Sequence, residues 1–256
     1  MCGTPSRPQR RAVWLFALAM LVGCGPPASQ SSERSPDRQA DAGSADSSPT
    51  DDVGGPDASR GAAPLPYASE VVEFSPGAGA GHGAEEMPGV VLGPPESDGQ
   101  TKGSLDVVSL GAEGTIVLGF GDRAIVDGEG ADFIVFENAF YVGGESGRVW
   151  AEVGEVSVSR DGEEWRSFEC RPEAGGENRY PGCAGWHPTR DYDPAKVQPL
   201  EPALTGGDPF DLSEVGLEKA RWVRITDVSK KGGAPSAGFD LDAVGIVHGE
   251  ALGGPE

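Results

Sequence analysis

Two short acidic stretches hold the side chains best suited to chemistry. In Gly238-Phe239-Asp240-Leu241-Asp242-Ala243-Val244-Gly245-Ile246-Val247, the two-residue period of a strand sets Asp240 and Asp242 on one face, about 7 Å apart along the chain. Phe239 and Leu241 take the other face. Two carboxylates this close repel unless they face open water, share a proton or bind a cation. In Asp132-Phe133-Ile134-Val135-Phe136-Glu137-Asn138, polar oxygens bracket a four-residue apolar run. A hard cation such as Ca2+ takes about six to eight oxygens at roughly 2.3 to 2.6 Å. Asp132, Glu137, Asn138, Asp240 and Asp242 are its candidate ligands if the two stretches converge. The same acids read equally well as surface charge at strand ends. Glu137, Asp240 and Asp242 would also serve as the paired carboxylates of a glycoside hydrolase, whose separation decides the stereochemistry.

A second candidate is aromatic. Trp186 sits in Gly182-Cys183-Ala184-Gly185-Trp186-His187-Pro188, a turn-rich stretch with little core to join. Beside Tyr180, His187 and Tyr192 it could form a ligand-binding platform, or it could pin the loop as a hydrophobic plug. Trp165 and Trp222 fall in strand patterns, which predicts core or sheet-face positions. Templates for catalysis are missing from the sequence: it holds no G-x-S-x-G elbow, H-E-x-x-H, Walker loop or dinucleotide fingerprint. His82, His187 and His248 are its only histidines, and none has an evident nucleophile or metal partner. A binding or adhesion module is therefore the expectation, ahead of an enzyme.

The elements that must position these residues are strands. From Tyr67 to His248 the apolar residues come in short runs bounded by Gly, Pro, Asp or Ser. They include Val71 to Phe74, Val90 to Leu92, Leu105 to Leu110, Thr115 to Phe120, Ala124 to Val126 and Asp132 to Glu137. Glu155 to Ser159, Trp165 to Phe168, Ala220 to Val228 and Phe239 to Val247 follow. Asp161-Gly162 between two of these runs predicts a hairpin, since its glycine supplies the positive φ that the turn demands. One short helix is expected at Ser213 to Lys219, capped by Asp211 or Ser213. With 40 Gly and 22 Pro and no long amphipathic helix pattern, the economical architecture is all-β, an antiparallel β-sandwich of one domain over residues 67–248. Residues 249–256 read as a flexible tail.

Charge and cysteines bound the setting. The formal charge is -21, which argues against nucleic acid as a partner and makes divalent cations the natural counter-ions. Arg7, Arg10 and Arg11 precede an apolar stretch from Ala12 to Met20, the layout of a signal peptide over residues 1–23 and too short to span a bilayer. Losing those three arginines with the leader would take the charge to -24. The segment Leu21-Val22-Gly23-Cys24 resembles a lipoprotein lipobox. That resemblance implies that Cys24 is lipidated and becomes the first residue of a membrane-anchored protein. Gly25 after it favours the outer membrane, again by resemblance. From Gly25 to Pro66 there is no aromatic residue, and seven acids stand against three arginines, so residues 24–66 read as a disordered acidic tether. Cys170 and Cys183 remain as one pair in an oxidising compartment. A disulfide between them would stabilise the fold by about 3 kcal/mol.

The blocks Ile116 to Gly121, Asp132 to Phe140, Val156 to Trp165, Asp208-Pro209-Phe210-Asp211-Leu212 and Gly238 to Gly245 resemble a family of exported bacterial cell-surface proteins. Some of its members carry a C-terminal sorting signal of the PEP-CTERM type. The resemblance spans roughly residues 67–248 and implies an exterior location; lipid would replace the C-terminal anchor. Separately, Val156 to Trp165 and Ala220-Arg221-Trp222-Val223-Arg224-Ile225 are similar to strands of discoidin-like, galactose-binding-like jelly rolls. That likeness implies a jelly roll of a kind that commonly binds glycans, frequently with a structural Ca2+. The combined expectation is a lipid-anchored envelope or surface lipoprotein, facing the periplasm or the exterior, that recognises a glycan or an envelope protein. A structural or assembly component of the envelope is the alternative, and a carbohydrate hydrolase follows it.

Overall fold

The computed structural model describes residues 66–96, 100–144, 148–174 and 180–253. The leader at 1–23, Cys24 and, Pro66 apart, the tether at 24–66 lie outside the described residues. The strands are β1 (Glu70–Ser75), β2 (Val108–Ser109), β3 (Thr115–Gly119), β4 (Arg123–Val126), β5 (Phe133–Glu137), β6 (Phe140–Val142), β7 (Arg148–Trp150) and β8 (Gly154–Ser159). They continue as β9 (Trp165–Ser167), β10 (Cys183–Ala184), β11 (Asp208–Phe210), β12 (Lys219–Ala220), β13 (Trp222–Asp227), β14 (Gly232–Gly233), β15 (Ser236–Ala237), β16 (Asp240–Ile246) and β17 (Gly249–Ala251).

All the strand pairs are antiparallel. One sheet has the order β1-β3-β13-β8-β10, with β9 paired to β8. A second runs β11-β5-β16-β2, a third β12-β4-β17, and β6-β7 and β14-β15 form two small ribbons. The two large sheets contribute to a single buried cluster. Ile116, Leu118, Val156, Val158, Val223 and Ile225 come from the first, and Phe133, Val135, Leu241, Val244 and Ile246 from the second. Each such side chain contributes about 1.5 to 3 kcal/mol when fully withdrawn from water. Phe133, Phe168 and Phe210 tighten the cluster, with ring centroids 4.8 to 5.9 Å apart.

Local chemistry explains the connections. In the β8–β9 hairpin, Gly162 takes φ +82°. Asp161 Oδ1 accepts the N–H groups of Glu163 and Glu164 at 2.9 and 2.8 Å, and Ser159 Oγ accepts that of Gly162 at 2.9 Å. The expected helix shortens to a 3-10 turn at Leu212–Val215, capped by Asp211, which accepts the Ser213 N–H at 2.8 Å. Gly216 ends it in the left-handed region. Val90 and Val91, expected in a strand, lie in a 3-10 turn instead, and Leu105 is exposed. Pairing continues past His248, because Gly249–Ala251 docks on β4 inside the segment expected to be a tail.

Cys170 and Cys183 form a disulfide, with Cα atoms 4.4 Å apart. The bond is characteristic of an extracytoplasmic compartment. No helix among the described residues is long and apolar enough to cross a membrane.

Candidate functional site

The alternation Trp222-Val223-Arg224-Ile225-Thr226 makes β13 two-sided. Val223 and Ile225 are buried in the core, so Trp222, Arg224 and Thr226 look outward. Pairing aligns Trp222 with Ser159 of β8, and Ser159 with Trp165 of β9. Two tryptophans thus stand in one row across three strands, two strand spacings or roughly 10 Å apart, with a serine between them. Arg224 lies over the Trp165 ring at 4.3 Å, and Arg221 over Trp222 at 4.7 Å. Thr115 Oγ1 and Thr226 Oγ1 are 3.2 Å apart, and Ser157 and Ser167 hydroxyls 2.9 Å apart. The result is a groove of about 440 Å³ on the outer sheet face, lined by Glu73, Val117, Trp165, Trp222 and Arg224.

The acidic stretches assemble differently from the single cation site expected. Asp132 and Glu137 stand at opposite ends of β5, roughly 16 Å apart, because five strand steps separate them. Glu137, Asn138 and Asp240 do come together: Asp240 donates its N–H to Glu137 Oε1 at 3.4 Å, and Asn138 N–H reaches the Asp240 carbonyl at 3.2 Å. Ser109 Oγ and the Asn138 side chain hold the Asp240 carboxylate, while burial pushes it above the usual range. Asp242 keeps company other than that of Asp240. A bulge follows Leu241, and the Asp242 carboxylate accepts the Glu96 N–H at 3.0 Å. Burial pushes Asp242 up to about 7 against that bond, and the charges of Asp106 and Glu96 add to the push.

Glu152 is a member of this region that sequence reasoning missed. It lies between β7 and β8 and is 5% exposed, and its Oε2 accepts the Trp150 indole N–H at 3.2 Å. Burial raises it to about 7, Asp240 adds to the rise, and the Trp150 bond and Lys231 oppose it. Burial drives Glu137 well above the carboxylate range, reinforced by Asp240, Glu152 and Asp208.

At the other end of β5, Asp127, Asp132 and Asp211 place carboxylate oxygens within 4.8 Å of one another and could hold a metal ion. Asp132 alone of the five expected ligands belongs to this triad. Its carboxylate is also a hub: Oδ1 accepts the Gly128 N–H at 2.8 Å and faces His248 Nδ1 at 2.9 Å, while Oδ2 accepts the Leu212 N–H at 2.7 Å.

Of the four expected loop residues, three gather. Trp186 lies against His187 with centroids 3.7 Å apart and planes tilted by 37°, meets Tyr180 edge-on at 6.4 Å and donates its indole N–H to the Cys183 carbonyl at 3.1 Å. Asp208 accepts from Gly185 N at 2.7 Å and Trp186 N at 3.2 Å and pairs with His187 at 2.7 Å. These bonds pin the loop. Tyr192 goes elsewhere, sharing a 2.8 Å hydroxyl contact with Tyr67 and stacking on Phe136. It packs there against a small cluster of Tyr67, Ile134, Phe136, Leu200 and Ala243.

No protein-family model matches the chain, and comparison with curated proteins finds no match.

Proposed function

We propose that this protein is an extracytoplasmic recognition module that binds a glycan chain on the outer face of its largest sheet. The carrying observation is the in-register row Trp222, Ser159, Trp165 with Arg224 beside it. Indole faces offer apolar area to the C–H faces of sugar rings, and Arg224, Glu73 and Thr115 along the groove offer donors and acceptors to hydroxyls, the mix found in small-ligand sites. The face is open, as a chain-like ligand requires. In this reading the two large sheets form a jelly-roll sandwich and a Ca2+ ion stabilises it. Cys24 carries lipid that anchors the domain at the outer membrane.

Recognition has more support than hydrolysis. Glu137, Asp240 and Asp242 are 3%, 6% and 4% exposed, whereas a hydrolase must present its carboxylates to a substrate. It also has more support than assembly through an apolar surface: among the described residues the exposed large hydrophobics Val72, Leu105, Val142, Trp150 and Leu204 are scattered over five segments.

Affinity electrophoresis of the mature protein through gels containing envelope or extracellular polysaccharides tests the reading. Retardation should be reduced in Trp165→Ala and Trp222→Ala. Binding that survives the double variant, or migration indifferent to every polysaccharide, overturns it. Loss of palmitate labelling in Cys24→Ala tests the anchor.

A further inference from the structure

Glu137 and Glu152 have a property that the other clustered acids lack. Each uses one carboxylate oxygen, on Asp240 N and Trp150 Nε1 respectively. Their remaining atoms, Glu137 Oε2 and Glu152 Oε1, are fully enclosed and have no hydrogen-bond partner. The residues are 3% and 5% exposed. An unmet buried polar atom costs about 1 to 3 kcal/mol, and more when charged. Here two occur in one negative region, since Asp240 acts on both groups and Glu152 acts on Glu137. The Lys231 charge acts on Glu152, but its ammonium donates to the Ala151 carbonyl at 2.6 Å and makes no hydrogen bond to Glu152 Oε1.

The backbone closes tightly on the Glu152 carboxylate. Gly232 has φ +74°, and a Cβ there would stand 2.8 Å from Glu152 Oε1 and 2.6 Å from the Ser236 carbonyl oxygen. A carboxylate and a carbonyl therefore converge beside residue 232, where only a glycine fits. Gly232 also lines a groove of about 810 Å³ bounded by Gly79, Glu113 and Lys230.

We propose that Glu137 Oε2 and Glu152 Oε1 are ligands of a buried divalent cation of the hard, oxygen-binding class, with Ca2+ the probe of choice. Asp240 contributes charge without coordinating, because Ser109 and Asn138 already hold its carboxylate. The Asp127, Asp132 and Asp211 cluster carries less weight: Asp132 meets hydrogen-bond partners on both oxygens, and Asp127 is exposed. The inference rests on the cation part of the reading above and is independent of glycan binding, so loss of the glycan reading leaves it standing.

Trp150 makes the test local, since its indole is one hydrogen bond from Glu152 and energy transfer to a bound lanthanide falls steeply with distance. Purified mature protein, stripped with EDTA, is titrated with Tb3+ under tryptophan excitation and separately with radioactive Ca2+ by equilibrium dialysis. Sensitised emission should develop and be displaced by Ca2+. Trp150→Phe should lose most of the emission and keep Ca2+ binding. Glu137→Gln/Glu152→Gln should weaken Ca2+ by about a hundredfold or more, because ligand charge sets affinity over orders of magnitude, while Asp127→Asn changes neither signal. Should the double variant fail to fold, Glu152→Asp, which keeps the charge but withdraws the oxygen, should weaken Ca2+ at least about tenfold. Ca2+ binding unchanged in these variants, binding lost in Asp127→Asn instead, or no binding at pH 8 overturns the proposal.

Discussion

The Arg224 guanidinium lies 4.3 Å from the centroid of the Trp165 ring and reaches it from the neighbouring position of the sheet face. Such a contact is worth about 0.5 to 1 kcal/mol at an exposed site. It fixes the plane of a ring that would otherwise sample several rotamers over β9. If the proposed glycan site is correct, Arg224→Ala should reduce its affinity by about tenfold, through lost ring orientation and a lost donor, while stability falls by no more than about 1 kcal/mol. Affinity electrophoresis and a denaturant melt separate the two effects. Unchanged affinity with lowered stability would make the pair a surface staple only.

Asp132 and Asp127 belong to the same oxygen triad but should respond oppositely to substitution. Asp132→Ala strands the N–H groups of Gly128 and Leu212 and the His248 ring. The Leu212 N–H is buried, and leaving it unmet predicts a loss of about 1 to 3 kcal/mol. Asp127 is exposed, so Asp127→Asn should stay within about 0.5 kcal/mol. Urea unfolding of both variants checks this.

Much of the fold was legible in the chain, and the reasons differ by element. The run read as Phe239 to Val247 gives β16 over Asp240–Ile246 with Phe239 and Leu241 in the core, because alternation between apolar and polar side chains follows the pleat directly. Leu105 to Leu110 yields only Val108–Ser109 as strand, since apolar content without alternation does not say which residues pair. The row of Trp222 and Trp165 depends on register, which the Ser159–Asp161–Gly162 turn sets and no single strand reveals. Glu152 gave no signal at all: a lone acid in Trp150-Ala151-Glu152-Val153 looks like surface charge, and its burial comes from distant segments such as Gly185 and Gly232 that pack against it. Asp132 was legible as important but not as a hub, because its partners Gly128, Leu212 and His248 are distributed over more than a hundred residues.

The disulfide ties Tyr180 and Trp186 to the edge strand β10, since Cys183 both bonds Cys170 and accepts the Trp186 indole N–H. Cys170→Ser/Cys183→Ser should cost about 3 kcal/mol. It should also shift tryptophan emission to the red as the Trp186 loop loosens. Denaturation followed by fluorescence reads both, and a stability loss without a spectral change would mean that Asp208 alone positions the loop.

Asp242 makes a pH prediction with a definite sign. Its carboxyl is raised from 3.8 to about 7 by burial, with Asp106 and Glu96 adding repulsion. The folded protein therefore holds a proton there over a range in which the unfolded chain has released it, so stability falls as pH rises. The contribution is fully present below pH 3.8 and is lost as pH climbs through about 7. In Asp242→Asn the amide mimics the protonated form and still accepts the Glu96 N–H. The variant should match wild type at low pH and exceed it at pH 8 by as much as roughly 4 kcal/mol, the value of a shift of about three pH units. Melting curves of both proteins in EDTA across this range measure the difference directly. Parallel curves, with no widening gap above neutrality, would mean that Asp242 is ionised throughout and that water reaches it.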